Sequence, residues 1–124
     1  MKITPIKKTT SDGRILSLTI GRVYEVLGIE ANCYRLLNDE CHKPYGNDPV
    51  LFEPNCFKII DHTEPDFWVC ELGEDGERYC YPKEWHSVGF FEDYHDGIRE
   101  IREIFWKCLK KYYPETWEER KGYC

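Results

Sequence analysis

The stretch 67-FWVCELGEDGERYCYP-82 reads as a β-hairpin. Its arms are rich in aromatic residues, and the turn 73-GEDGE-77 carries Asp75-Gly76, a dipeptide that favours tight chain reversal. Cys70 and Cys80 have nine residues between them, a spacing that suits neighbours on one sheet face. A lone hairpin is marginal in water, so it needs partner strands, and the sequence before it supplies them.

The segment 22-RVYEVLGI-29 has the length and the Val, Ile and Tyr content of a strand. Residues 28–32 make a loop, 33-CYRLL-37 returns as a second strand, and Asn38-Asp39 turns the chain again. Two prolines, a glycine and Asn-Asp mark 41-CHKPYGNDPV-50 as an irregular loop with one short strand at most. In 51-LFEPNCFKII-60, Leu51 and Phe52 pack ahead of a strand holding Phe57, Ile59 and Ile60. Residues 61–66, with Pro65 and three acids, read as a linker turn. Residues 1–16 are expected as a basic, loosely ordered N-terminal arm, followed by one domain over 17–124, β-rich across 17–95.

Past the hairpin the period changes. In 97-GIREIREIFWKCLKKYY-113, Ile98, Ile101, Phe105, Cys108 and Tyr112 recur at spacings of three and four, one face of an amphipathic helix. Glu92, Asp93 and Asp96 are expected at or just before its N-terminus and Lys107, Lys110 and Lys111 near its C-terminus, both favourable to the helix dipole. Pro114 is expected to stop it, and the tail to add at most a short turn. Trp85, Phe90 and Phe91 are expected to plug the β-structure, leaving Tyr79 and Tyr94 half-exposed.

The β portion resembles small SH3-like barrel proteins of bacteria and phages, on 18-LTIGRVYEVLGI-29, 33-CYRLLNDE-40 and 51-LFEPNCFKII-60. The segment 41-CHKPYGNDP-49 departs from that pattern as an insertion. Residues 67–94, with WVCELGEDGERYCYPKEW and GFFEDY, are similar to small bacterial proteins that include immunity partners of polymorphic toxins. The fold expected is therefore α+β: a small antiparallel bent sheet or SH3-like barrel with one C-terminal amphipathic helix over about 97–113. What the resemblance implies for function is protein binding, and SH3-like barrels host many unrelated activities.

Charge narrows the function classes. The chain has 124 residues and a net charge of -6, distributed as +3 over 1–16, -11 over 17–96 and +2 over 97–124. An acidic middle of that size repels phosphates, so no direct nucleic-acid ligand is expected. No apolar run reaches the length of a membrane span. The first residues, MKITPIKKTTSDGR, lack an apolar leader, and seven cysteines are an odd number. Both point to a cytoplasmic protein whose thiols are mostly packed as small hydrophobes.

No metal and no cofactor is expected. Cys41 and His42 are adjacent, no C-x2-C pair occurs, and the glycines of 73-GEDG-76 lie between acids. Glu84, His86, Asp93, His95 and Asp96 include the groups for acid–base chemistry, which keeps a small enzyme or a metal-binding protein as the alternative. An RNA-binding barrel is a further alternative, resting on the basic arm and helix end. The reading that fits most residues is a non-enzymatic module for a protein partner with a basic surface, such as a cognate toxin domain. The contact residues expected on the hairpin and just after it are Glu74, Asp75, Glu77, Tyr79 and Glu84. Those expected before the helix are Glu92, Asp93, Tyr94, His95 and Asp96.

Overall fold

Among the described residues, eight short strands pair in two antiparallel sheets. The computed structural model describes residues 1–40 and 47–122. The first six positions of the loop expected over 41–50 lie outside the described residues. Strands β1 (Lys2–Pro5), β2 (Tyr24–Glu25) and β6 (Phe57–Asp61) form a three-stranded sheet ordered β2-β1-β6. Strands β3 (Gly28–Glu30), β4 (Cys33–Leu37), β5 (Pro49–Phe52), β7 (Trp68–Leu72) and β8 (Arg78–Pro82) form a five-stranded sheet ordered β5-β4-β3-β8-β7. The expected α+β class with antiparallel sheets is what the chain adopts. The described strands make two sheets and no closed barrel.

The expected hairpin is β7–β8, and the second expected strand coincides with β4. The N-terminus differs from expectation. Residues 2–5 are not a loose arm but the middle strand of the smaller sheet, with Ile3 fully buried between β2 and β6. Its short I-x-P alternation, buried at Ile3 and Pro5, pairs with strands far along the chain.

The larger sheet is covered on both faces. Ile29, Tyr34, Phe52, Trp68 and Cys80 meet Ile3, Tyr24 and Phe57 of the smaller sheet in one apolar cluster. Leu27, Leu37 and Tyr81 turn the other way and pack with the helices around Trp85, Phe105 and Tyr113. The result is three layers: sheet, sheet, helices. Tyr113 ties them together, since its hydroxyl donates to the Leu27 carbonyl at 2.7 Å and accepts from Trp68 Nε1 at 2.8 Å.

Among the described residues, three α-helices stand where one was expected: α1 (Phe90–His95), α2 (Arg99–Tyr112) and α3 (Pro114–Arg120). The break before α2 is at Gly97, whose φ of 82° is a left-handed turn that a glycine adopts without strain. Beyond it, Ile98 N–H donates to the Asp93 carbonyl at 3.1 Å. Glu92 and Asp93 therefore sit in the first turn of α1 rather than at the start of the long helix. Pro114 does end α2, and it also opens α3, where a missing N–H leaves nothing unpaired.

Helix α3 is fastened by a buried ion cluster. Asp39 accepts from Thr19 Oγ1 at 2.6 Å, Arg22 Nη1 at 3.1 Å, Arg120 Nη2 at 2.9 Å and the Tyr24 hydroxyl. The Arg120 side chain is 2% exposed and that of Asp39 12%. Arg120 also donates to the Asn38 carbonyl at 2.9 Å.

Candidate functional site

The register of the larger sheet draws acids from distant segments into one row. Glu30 pairs with Tyr79, and Tyr79 with Glu71, so the three side chains stand side by side on the helix-facing side of β3, β8 and β7. Between the row and α1 lies a groove made of two adjoining hollows that share lining residues. One is about 330 Å³, bounded by Glu30, Glu71, Tyr79, His86, Val88 and Glu92. The other is about 500 Å³, bounded by Glu30, Arg35, Leu51, Phe91, His95 and Asp96. Glu30, Phe91 and Glu92 border both.

The groove floor is a buried polar hub. Arg35, 4% exposed, donates to Glu30 at 3.1 Å, to the Tyr81 hydroxyl at 3.0 Å and to the Pro49 carbonyl at 3.1 Å. Its guanidinium lies 4.0 Å from the centre of the Phe91 ring. The Tyr81 hydroxyl in turn donates to Glu30 at 3.0 Å. Burial pushes the Tyr81 phenol far above its ordinary value of 10.0, Arg35 only partly opposing, so it stays a neutral donor. Gly28 makes the hub possible, because a β-carbon there would lie 2.8 Å from the Cys80 carbonyl oxygen and closer still to the Tyr81 ring. Arg35 is thus neutralised within the floor by Glu30, while Glu71, Glu92 and Asp96 line the rim as exposed acids.

The ten expected contact residues separate in space. Tyr79, Glu92, His95 and Asp96 border the groove. Glu74, Asp75 and Glu77 lie at the hairpin tip, where Glu77 is occupied in accepting from the Asp75 N–H at 2.9 Å. Asp93 is exposed on α1 but does not border the groove. Glu84 is held elsewhere, accepting from the Tyr112 hydroxyl at 2.9 Å and lying 3.5 Å from Lys111. Tyr94 is a correction: it is fully buried and accepts from Trp106 Nε1 at 3.0 Å, because α1 packs it against α2 beside Phe105. Burial pushes its phenol up to about 12. Trp85, Phe90 and Phe91 are buried as expected, and Tyr79 is half-buried.

Glu30, Arg35 and Glu71 were not among the expected residues. The alternation within each strand was the available signal, but the row needs the β3–β8 pairing, which joins positions about fifty residues apart.

The histidines of the acid–base alternative are engaged with backbone. His86 Nε2 lies 2.7 Å from the Val69 carbonyl and 3.0 Å from that of Tyr81, and His95 Nε2 lies 3.0 Å from that of Pro49. Carbonyls only accept, so both Nε2 atoms carry hydrogen and only Nδ1 is left for other work. Among the described residues, one group has metal-type spacing, Glu64 with Cys70 and Cys80. Its two sulfurs are joined as a disulfide. The two cysteines are cross-strand neighbours on one sheet face, as their spacing suggested, while Cys56 and Cys108 are free and buried among apolar side chains.

No protein-family model, curated protein or solved structure matches the chain. Among the described residues, no helix is long and apolar enough to cross a membrane.

Proposed function

We propose that the protein is a non-enzymatic binding module whose acidic groove receives a basic surface of a protein partner. In its most specific form, the reading is an immunity protein that covers the active site of a bacterial toxin in the cytoplasm. The observation that carries it is the row Glu30–Tyr79–Glu71 facing Glu92 and Asp96 across an open groove. Aromatic surface at the centre with acids at the rim suits a cationic partner: the ring supplies contact area, and the acids steer approach and fix register. The hub beneath is already assembled, so docking would cost little ordering of the floor. The resemblance of residues 67–94 to immunity-type proteins adds support.

The test is co-purification with the product of the neighbouring reading frame, followed by titration calorimetry at two salt concentrations. A tight, salt-sensitive complex is expected. Glu71→Lys, Glu92→Lys and Asp96→Lys together should weaken it at least about a hundredfold, with the melting temperature kept. A neighbour without a toxin domain, or one that does not bind, overturns the immunity reading. Full affinity in the triple variant removes the groove from the interface.

A further inference from the structure

The Cys70–Cys80 bond lies on the face of the hairpin opposite the groove, and its two sulfurs are unequal. Cys70 is exposed on β7, the edge of the larger sheet, whereas Cys80 is fully buried. The residues sit directly opposite each other with Cα atoms 4.2 Å apart. Arg78 places Nη2 3.4 Å from Cys80 Sγ and 3.8 Å from Cys70 Sγ. Glu64 aims that guanidinium, accepting from its two terminal nitrogens at 2.8 and 2.7 Å. A disulfide is neutral and gains little from an adjacent cation. A buried thiolate gains from it, because charge is costly there without a partner, and the Glu64 carboxylate within 4.8 Å of both sulfurs offsets part of that gain.

We propose that Cys70–Cys80 is a thiol–disulfide exchange site whose reactant is a small thiol of the glutathione class. The incoming thiolate attacks Cys70 Sγ, the only one of the two sulfurs open to solvent. A new sulfur–sulfur bond forms to Cys70 as the Cys70–Cys80 bond breaks, and the bonding pair leaves on Cys80 Sγ beside Arg78. A second small thiolate attacks the reagent's own sulfur in the mixed disulfide and expels Cys70 as thiolate. Two small thiols become one small disulfide, and the protein gains two electrons and the two protons that the thiols lost. Arg78 acts as a positioning residue that makes Cys80 the better leaving group.

The test begins with alkylation of the free thiols that the native chain leaves accessible. Reduced glutathione is then added at neutral pH, the reaction is quenched in acid, and peptides are weighed. Before glutathione, Cys70 and Cys80 should resist alkylation even in denaturant. The first adduct should map to Cys70. Arg78→Gln should slow reduction about tenfold, the effect of withdrawing a cation that favours the thiolate, and Arg78→Lys should keep most of the rate. Labelling of both cysteines without reductant, an adduct on Cys80, or equal rates in Arg78→Gln and the wild type would each overturn the proposal. The adduct mapping uses the unaltered chain and stays decisive if a variant folds poorly.

Discussion

Replacing Asp39 with Asn removes one charge from a site where four donors converge. Arg120, 2% exposed, then faces an amide in place of a carboxylate. Depriving a buried ion of its partner costs about 3–5 kcal/mol. Arg120 retains the Asn38 carbonyl, and the amide oxygen can still accept one bond, so the lower end applies, about 3 kcal/mol. That is a large share of the roughly 5–15 kcal/mol that holds a domain folded. In urea the midpoint should fall by about 2 M at an m-value of roughly 1.5 kcal/mol per molar, with the slope unchanged. Acid supplies a second reading. Burial alone would raise the Asp39 carboxyl, but hydrogen bonds from Thr19 and Tyr24 and the charges of Arg120 and Arg22 outweigh it. They hold the carboxyl below its ordinary 3.8. Its contribution is present above pH 3.8 and is lost as pH falls through the lower folded value. Wild type and variant should therefore converge in acid. A neutral-pH difference below about 1 kcal/mol, or a gap that persists in strong acid, would refute the reasoning.

Gly28→Ala pushes a methyl group into the Tyr81 ring and the Cys80 carbonyl, and should cost about 1–3 kcal/mol by calorimetric melting. A melting temperature equal to the wild type would show that the hub can shift. Burial pushes Tyr94 up to about 12 and raises Tyr81 and Tyr113 further, so these phenols contribute stability below pH 10 that is lost as pH rises above it. Ultraviolet titration should show these three tyrosines ionising only as the chain unfolds in base; their ionisation near pH 10 in the folded chain would contradict the packing.

Legibility followed locality. The β7–β8 hairpin, β4 and α2 were readable because each rests on contacts within a few residues: a turn dipeptide, a short β-rich run, a spacing of three and four. Helix α1 was not, because Gly97 reads equally as the start of a helix and as the joint between two. Strand β1 was hidden by its brevity and by Lys2 and Thr4, which alternate with the buried Ile3 and Pro5. At the site, Glu92, His95 and Asp96 were identifiable as a polar run, but their proximity to Glu30 depends on how α1 lies over the sheet. Tyr94 showed the converse. Its acidic neighbours suggested exposure, and one helical turn carried it to the opposite side, against Phe105.

The central position of β1 also bears on the rate of folding. Its contacts with β6 join residues 52 to 59 positions apart, and the Tyr113 bond to Leu27 spans 86. β1 can pair with β2 across a shorter loop, but the sheet is completed only when the longer loop to β6 closes, a non-local step that slows folding. On a ribosome, β1 and β2 would emerge well before β6, leaving the β6-facing edge of β1 available to other edges in the interval.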